Sequence, residues 1–249
     1  MVVTRPAARP RPRRGGTDGA TAVPAAVELI DVIRIYREGD VETIALRGID
    51  LRVQPGEYVA LMGRSGSGKS TLLQLLAGSD SPTGGRVIVD GVDLSHADEA
   101  TRASVRGARV GVVFQSQNLP PFLSLEEGIV LACALAGRPA EDGVARAALA
   151  AAGLEGRERH RPGQLSGGEQ QRAAVATVLA TRPRILLADE ITGELDSENA
   201  ARLLDLLGAV HAAGELTIIA ATHDPNVAAR AGRIVELRDG RIVSERPAS

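Results

Sequence analysis

Apolar residues fall into short runs that predict alternating strands and helices from residue 27 onward. The runs 27–36 and 44–53 have the length and composition of strands, and a turn signal follows each of them. A third run, 57–62, predicts a short strand that leads into a glycine-rich segment. The leucines at 72, 73, 75 and 76 then have helical spacing and predict a helix that ends at Gly78.

The next part of the chain continues the alternation and then changes character. Residues 86–89, followed by the turn residues Asp90 and Gly91, predict one arm of a hairpin, and residues 110–114 predict another strand. Residues 124–181 are rich in alanine, leucine and glycine at helical spacing and contain no convincing strand. We therefore expect a helical subdomain inserted into an α/β core.

The last third of the chain returns to strands. The runs 185–188 and 216–221 are continuously apolar, as is typical of buried parallel strands. A strand at 233–237, a turn at Asp239-Gly240 and a short strand at 242–243 are predicted next. We detect no internal repeat of 20–50 residues, so a single α/β domain over 26–249 is the simplest organisation.

Composition narrows the class of protein. The 249 residues are 44% hydrophobic and 24% charged, which suits a soluble globular domain with a sizeable core. There is no apolar run of 18 residues and no apolar core of a secretory signal near the first residue, so a cytoplasmic location is expected. Cys133 is the only cysteine, which excludes an intrachain disulfide and a cysteine-based metal site.

Charge is unevenly distributed. Residues 1–14 contain five arginines and no acidic residue, so the rest of the chain is mildly acidic and offers no broad basic face for nucleic acid. Residues 1–25 are rich in arginine and proline and are predicted to form a disordered tail. That tail either is solvated without a dedicated role or is attracted to anionic lipid headgroups.

The glycine-rich segment after the third strand matches the phosphate-binding pattern G-x-x-x-x-G-K-[ST]. Its strand–loop–helix context is the one that a genuine phosphate loop needs. The glycines let backbone N–H groups face phosphate oxygens, the lysine reaches the outer phosphates, and the serine after it can join the shell of Mg²⁺. The predicted site residues are Gly63, Arg64, Ser65, Gly66, Ser67, Gly68, Lys69, Ser70 and Thr71.

Lys69 stands out because it is the only lysine among the 29 basic residues. Arginine is used everywhere else, so the exception indicates that arginine would not serve at this position. A compact ammonium fits among phosphates as a point charge, whereas a planar guanidinium does not.

Two adjacent carboxylates end the apolar run 185–188. If this strand lies beside the phosphate loop, Asp189 reaches the magnesium shell and Glu190 can polarise an attacking water. Such a pair could also belong to a surface loop, but its combination with the phosphate loop favours a nucleotide site.

A third motif, LSGGEQQR at residues 165–172, precedes the carboxylates. Ser166, Gly167 and Gly168 would open a helix and create a second backbone-rich anion site at its positive end. The alternative is a simple capping box, in which Ser166 pairs with Glu169. Residue for residue, the segment resembles the signature motif of the ABC (ATP-binding cassette) ATPases.

That resemblance extends over about residues 27–245. It implies a P-loop NTPase (RecA-like) core with an antiparallel β subdomain and an inserted helical subdomain. It also implies ATP and Mg²⁺ as cofactors and a head-to-tail dimer, either a homodimer or a heterodimer with a related ATPase. In such a dimer the signature residues bind the γ-phosphate of the nucleotide held by the other subunit.

Other positions resemble residues with known roles in this family. Tyr36 resembles the aromatic residue that stacks on adenine, although core packing is an alternative. Gln115 resembles the glutamine that contacts magnesium and the attacking water, and His223 the switch histidine that contacts the γ-phosphate. Asp196 matches the aspartate that communicates across the dimer, with an N-cap role for the following helix as the competing interpretation.

The chain departs from the family pattern at three positions. Ile191 stands where proline is common, Glu194 where asparagine is common, and Gln117 where an aromatic residue often occurs. None of these changes removes a catalytic group. They bear on the rigidity of the loop after Glu190 and on contacts with partners.

The resemblance implies a partner as well. The sequences of segments 41–49 and 72–85 are similar to those of the branch of ABC ATPases that serves lipoprotein release and macrolide or peptide export. We therefore expect an ATPase on the inner face of the membrane, docked on a separate permease through an apolar surface near residues 115–129. Two alternatives stay open: a cell-division-type ATPase that acts on a membrane partner without transport, and a soluble ABC ATPase without one.

Overall fold

The computed structural model describes residues 24–115, 118–214 and 216–248. Nearly all of the predicted tail, residues 1–25, lies outside these ranges. The strands are β1 (Val27–Glu38), β2 (Val41–Val53), β3 (Tyr58–Met62), β4 (Gly84–Val89), β5 (Val92–Asp93), β6 (Val110–Val113), β7 (Ile185–Asp189), β8 (Thr217–Thr222), β9 (Arg233–Arg238) and β10 (Arg241–Pro247). The α-helices are α1 (Lys69–Leu76), α2 (Glu99–Ala108), α3 (Leu125–Leu135), α4 (Val144–Ala151), α5 (Gly167–Ala180), α6 (Ser197–Ala212) and α7 (Pro225–Arg230).

The main sheet has the strand order β10-β9-β3-β8-β7-β6. The five strands from β9 to β6 are parallel, and β10 pairs antiparallel with β9 at one edge. Both faces of the sheet are covered: Val59 and Leu61 of β3 pack into one core cluster and Ala60 into another. This double coverage explains why these strands are continuously apolar, and it confirms the predicted buried parallel strands.

A second sheet, of order β2-β1-β4-β5, is antiparallel. The hairpin between β4 and β5 turns at Asp90 and Gly91, which have φ of 46° and 78°. Two successive positive φ values are what a tight two-residue hairpin turn requires, so the predicted hairpin is confirmed. Leucines of α1 pack between the two sheets and are fully buried.

Residues 124–181 contain α3, α4, α5 and a short 3₁₀ helix at Pro162–Gln164. Within 118–214, which the structure describes without a gap, the only strand is β7. Ile129 of α3, Leu149 of α4 and Ala173 of α5 form a separate apolar cluster. Because α5 also packs on the main sheet through Ala174 and Val175, it connects the helical segment to the core.

The structure adds helices that the hydrophobic pattern does not reveal. Helix α2 buries only Val105, so it has no apolar periodicity; its signal is the N-cap Asp98, which accepts a hydrogen bond from Thr101 N at 2.8 Å. Helix α7 has only six residues, too few for a periodic pattern. Helix α6 begins directly after Asp196, as the N-cap interpretation of that residue requires.

Candidate nucleotide-binding site

The glycine-rich segment forms a loop between the end of β3 and the start of α1. Gly66 and Gly68 have φ of 76° and 106°, in the left-handed region that favours glycine. A Cβ at Gly68 would lie 2.8 Å from Ala45 O, and one at Gly63 would overlap Leu237 O. The loop therefore packs directly against the backbone of β2 and β9, and larger residues at these two positions would push it out of place.

Helix α1 starts at Lys69, and no side chain of the described residues caps its first amides. Its positive end is thereby left open to an anion, which agrees with the predicted phosphate-binding role. The Lys69 side chain is buried and curls back over the loop, where Nζ donates to Gly63 O at 2.8 Å. Nζ also lies 3.4 Å from Glu190 Oε1.

Asp189 ends β7, and its neighbour strand β8 lies beside β3. Its carboxylate therefore reaches the edge of the sheet that carries the phosphate loop. Burial raises the pKa of Asp189, and the charge of Glu190 adds to this rise, while a hydrogen bond from the Ser70 hydroxyl opposes it. Oδ1 of Asp189 is buried and has no hydrogen-bond partner among the described residues. An unsatisfied carboxylate oxygen beside a serine hydroxyl is a donor set that fits Mg²⁺, which needs few protein ligands.

Glu190 lies between two cationic or polar groups of the site. Its Oε2 is 2.8 Å from His223 Nδ1, and its Oε1 faces Lys69. The Glu190 backbone has φ of 49°, an uncommon conformation for glutamate, and its N–H donates to Ala221 O at 2.9 Å. Backbone strain held by a hydrogen bond from the neighbouring strand is typical of residues at functional sites.

A cavity of about 670 Å³ brings most of the predicted residues together. It is lined by Tyr36, Ser65, Gly66, Ser67, Gly68, Lys69, Ser70, Thr71, Gln115, Glu190 and His223, with several neighbours from β2 and the loop after Glu190. Gly63 and Arg64 line an adjoining cavity of about 830 Å³ on the side of β9 and β10. The phosphate loop thus forms a wall between the two cavities.

Tyr36 is held at the rim of the first cavity. Its hydroxyl donates to Asp80 Oδ2 at 2.9 Å, and the Arg34 guanidinium lies 4.4 Å from the ring centroid. The ring is half-buried and lines the cavity rather than packing into the apolar core. One face of the ring is covered by a cation and its edge is fixed, so the ring orientation is set before a ligand arrives. No sequence signal pointed to Asp80.

The signature segment lies outside this cavity. Ser166 caps α5: its Oγ accepts from Glu169 N at 3.3 Å, and Glu169 Oε2 accepts from Ser166 N at 2.9 Å. The capping box is therefore present. Ser166 and Gly167 are exposed, so the positive end of α5 is open to a ligand that this copy of the chain does not surround.

Gly168 is buried against Asn199 in the first turn of α6. Asn199 Oδ1 accepts a hydrogen bond from Arg172, and Asp196 accepts from Asn199 N at 2.8 Å and from Asn199 Nδ2 at 2.6 Å. These hydrogen bonds lower the pKa of Asp196. We name the group Gly168, Arg172, Asp196 and Asn199 the α5–α6 lock, because it joins the first turns of the two helices.

Asp196 is thus the N-cap of α6, the competing interpretation of that residue. A role across a dimer stays a prediction. Sequence reasoning missed Asn199, although an asparagine three residues after an aspartate cap is the signal that could have found it.

The loop after Glu190 is a tight turn, even though proline is replaced by Ile191. Ile191 is 4% exposed and packs in the core, Gly193 N donates to Glu190 O at 3.0 Å, and Leu195 N donates to Thr192 O at 3.1 Å. Gln115 follows β6 and donates from Nε2 to Glu194 Oε1 at 3.2 Å. Gln117 lies outside the described residues.

In the part of the chain that the structure describes, no helix is long and apolar enough to cross a bilayer. The same ranges contain no group of three or more His, Cys, Asp or Glu residues that could hold a metal.

Comparison with known proteins gives consistent results. The family model described as ABC transporter matches residues 46–193. The chain is 46% identical over 224 residues to a macrolide export ATP-binding/permease protein MacB of Hyphomonas neptunium, covering 89% of this chain and 35% of that protein. It is also 46% identical over 224 residues to the lipoprotein-releasing system ATP-binding protein LolD of Anaeromyxobacter dehalogenans, covering 89% and 94% of the two chains.

Among solved structures, the dimeric ATP-binding cassette MJ0796 in a post-hydrolysis state with ADP and Pi is similar, with a TM-score of 0.84 and 37% identity. The similarity covers 90% of this chain and 99% of that one. The chain spans about a third of the length of the macrolide-export relatives it matches.

Proposed function

This chain belongs to the ABC transporter family, and on that premise we propose that it binds and hydrolyses Mg·ATP as a dimer to drive a separate membrane permease. The observation that carries the proposal is the cavity that joins Lys69 of the phosphate loop to Glu190 and His223. These groups can bind a triphosphate, accept a proton from water and stabilise the negative charge that builds up on the transferred phosphoryl group.

Within one site, each side chain has a distinct task. The amides of residues 65–70 and the start of α1 bind phosphate oxygens, and Lys69 exchanges its bond with Gly63 O for one with the outer phosphates. Ser70, Asp189 and Gln115 would hold Mg²⁺, which neutralises charge on the phosphate oxygens when bound. Tyr36 would stack on the adenine.

Glu190 would act as the general base that takes a proton from the attacking water. In the nucleotide-free protein its two oxygens face Lys69 and His223. When the γ-phosphate enters, Lys69 and His223 gain a stronger anionic partner. Glu190 then becomes free to orient water.

Ser166, Gly167 and Gly168 would complete the site of a second subunit, because they lie outside their own cavity. Two copies, or this chain and a related ATPase, would thereby enclose two nucleotides. Asp196 would move with the signature segment, since the α5–α6 lock joins them.

The experiment compares three variants of the purified full chain. We expect Glu190→Gln to reduce turnover about 10²–10⁴-fold, to keep ATP binding and to accumulate a closed dimer in size-exclusion chromatography with Mg·ATP. Lys69→Ala should lose nucleotide affinity. Glu198→Gln is the control, because Glu198 is an exposed carboxylate whose one ion pair among the described residues is with Arg202 on the surface of α6. Robust turnover by Glu190→Gln would refute the assignment of the base.

Coupling to a permease is supported by an exposed apolar surface beside Gln115. Phe114 and Phe122 are 47% and 69% exposed, and Pro120 and Pro121 lie between them in the chain. A cluster of exposed apolar side chains of this size indicates a protein-binding surface. We propose that this surface docks the chain on the inner face of the membrane, on a permease of the lipoprotein-release, peptide or macrolide-extrusion type.

Co-purification from native membranes tests the partner. Phe122→Asp should release the chain from membranes, whereas Val243→Asp, at an exposed apolar position in the edge strand β10 on the other side of the main sheet, should not. Equal retention of both variants would refute docking through this surface. A permease recovered without any transport activity would favour the cell-division type, and a purely soluble assembly would favour the ABC ATPases without a membrane partner.

A further inference from the structure

Glu194 lies outside the nucleotide cavity, but it contacts Gln115, the candidate magnesium ligand that lines this cavity. Gln115 Nε2 donates to Glu194 Oε1 at 3.2 Å. A Cβ placed on Gly193 would lie 3.6 Å from the same Nε2 atom. The nitrogen end of the Gln115 amide therefore lies over the turn formed by residues 193 and 194.

The chemistry of this contact determines which way the amide faces. A carboxylate has no hydrogen to donate, so it can receive only the NH₂ end of a glutamine amide. The carbonyl oxygen of Gln115 is then left for the cavity, which also contains Lys69 and Ser70. An uncharged amide at position 194 could bond either end of Gln115, and both orientations would be populated.

The turn that carries Glu194 is well fixed. Gly193 N donates to Glu190 O, Leu195 N donates to Thr192 O, and the Ile191 side chain is buried in the core. Glu190 and Glu194 are consequently held at the two ends of one rigid turn. The hydrogen bond from Gln115 to Glu194 therefore fixes Gln115 relative to the candidate base Glu190.

We propose that Glu194 is a positioning residue, which orients the Gln115 amide so that its oxygen faces the metal of the nucleotide site. This inference rests on the proposed function, because the metal is the one that accompanies ATP. Glu194 itself does not contact nucleotide or metal; it acts through Gln115.

The test measures metal binding and amide orientation separately from catalysis. The full chain is titrated with Mn²⁺ in the presence of a non-hydrolysable ATP analogue, and free Mn²⁺ is followed by electron paramagnetic resonance. Glu194→Gln should weaken Mn²⁺ binding roughly two- to tenfold, the range that corresponds to loss of one oriented hydrogen bond. Glu198→Gln removes one negative charge from the nearby first turn of α6 without touching Gln115, and should change the affinity by less than about twofold.

Two further measurements make the test specific. In a Gln115→Ala background, Glu194→Gln should have no further effect on Mn²⁺ binding. In the nucleotide-free protein, the side-chain ¹⁵N–¹H resonances of Gln115 should shift in Glu194→Gln and stay in place in Glu198→Gln.

Equal Mn²⁺ affinities for the variants at 194 and 198, or an undiminished effect of Glu194→Gln without Gln115, would overturn the inference. Failure of the proposed function has a different result: the wild-type chain would not hydrolyse Mg·ATP, while the amide resonances would still report the contact between Glu194 and Gln115.

Discussion

Replacing Gly168 with alanine should destabilise the α5–α6 lock. An added Cβ would lie 2.5 Å from Asn199 Cγ and 2.8 Å from Asn199 Oδ1, and Asn199 cannot retreat without giving up its bonds to Arg172 and Asp196. Overpacking of this kind costs about 1–3 kcal/mol. Alanine also has the higher helix propensity, and this difference alone would stabilise the folded state by up to about 1 kcal/mol.

Gly167→Ala is a matched control, because a Cβ on Gly167 would lie more than 4 Å from every neighbour in the described part of the chain. Both glycines lie in the first turn of α5 and gain the same helix propensity, so the difference between the two variants isolates the clash. We expect Gly168→Ala to unfold at a temperature lower than that of Gly167→Ala by about 2–12 °C, which corresponds to about 1–3 kcal/mol in a chain of this size.

The assay is thermal and urea unfolding of the nucleotide-free protein, which removes any contribution of these glycines to phosphate binding. Superimposable unfolding curves for the two variants would refute the reasoning and would mean that the first turns of α5 and α6 move independently. Adding Asn199→Ala to the Gly168→Ala variant should recover part of the loss, since it removes the two closest atoms.

Substitutions at three other positions have expected outcomes that unfolding and activity experiments can check. Burial raises the pKa of Tyr58 to about 12, and its hydroxyl has no hydrogen-bond partner among the described residues. The folded state therefore binds the hydroxyl proton more tightly than the unfolded state, so the free energy of unfolding falls as pH rises from about 10 to 12. Tyr58→Phe should remove about 1 kcal/mol of that loss at pH 11, and parallel pH curves for the two proteins would contradict this. Asp189→Asn should stabilise the nucleotide-free protein at neutral pH, because burial raises the pKa of Asp189 and makes its ionised form unfavourable in the folded state. This gain in the free energy of unfolding should shrink as pH falls towards about 4. The variant should also lose the stabilisation that Mg·ATP gives the wild-type protein. Asp196→Ala should lower the unfolding temperature through loss of the N-cap, whereas Asp196→Asn should keep the cap. Any loss of ATPase activity in the asparagine variant then reports the charge and not the cap.

The sequence predicts those parts of the fold and site that depend on short segments. Continuous apolar runs identify β7 and β8, and the glycine spacing identifies the phosphate loop, because each signal is contained within about ten residues. The position of Asp189 beside that loop follows only from the strand order, which the family resemblance implies and the hydrophobic pattern does not.

Other features depend on contacts between distant segments and could not be read from the chain. Asp80 supports Tyr36 across 44 residues, and Glu194 meets Gln115 across 79. Asn199 has a local signal, its place three residues after the cap Asp196, but its hydrogen bond from Arg172 across 27 residues has none. Polar residues of this kind have no periodic pattern, and only the tertiary fold shows what they contact.

The location of β3 has a consequence for synthesis on the ribosome. This strand carries the phosphate loop, but the strands hydrogen-bonded to it are β8 and β9, and the loop itself packs against the backbone at Leu237 and Gly240. A nascent chain that stops before residue 217 therefore contains the whole GRSGSGKST segment with neither neighbour available to hold it. We therefore expect the phosphate loop to take up its folded arrangement only after β8, β9 and Gly240 have been synthesised, so that nascent chains first bind nucleotide near residue 240.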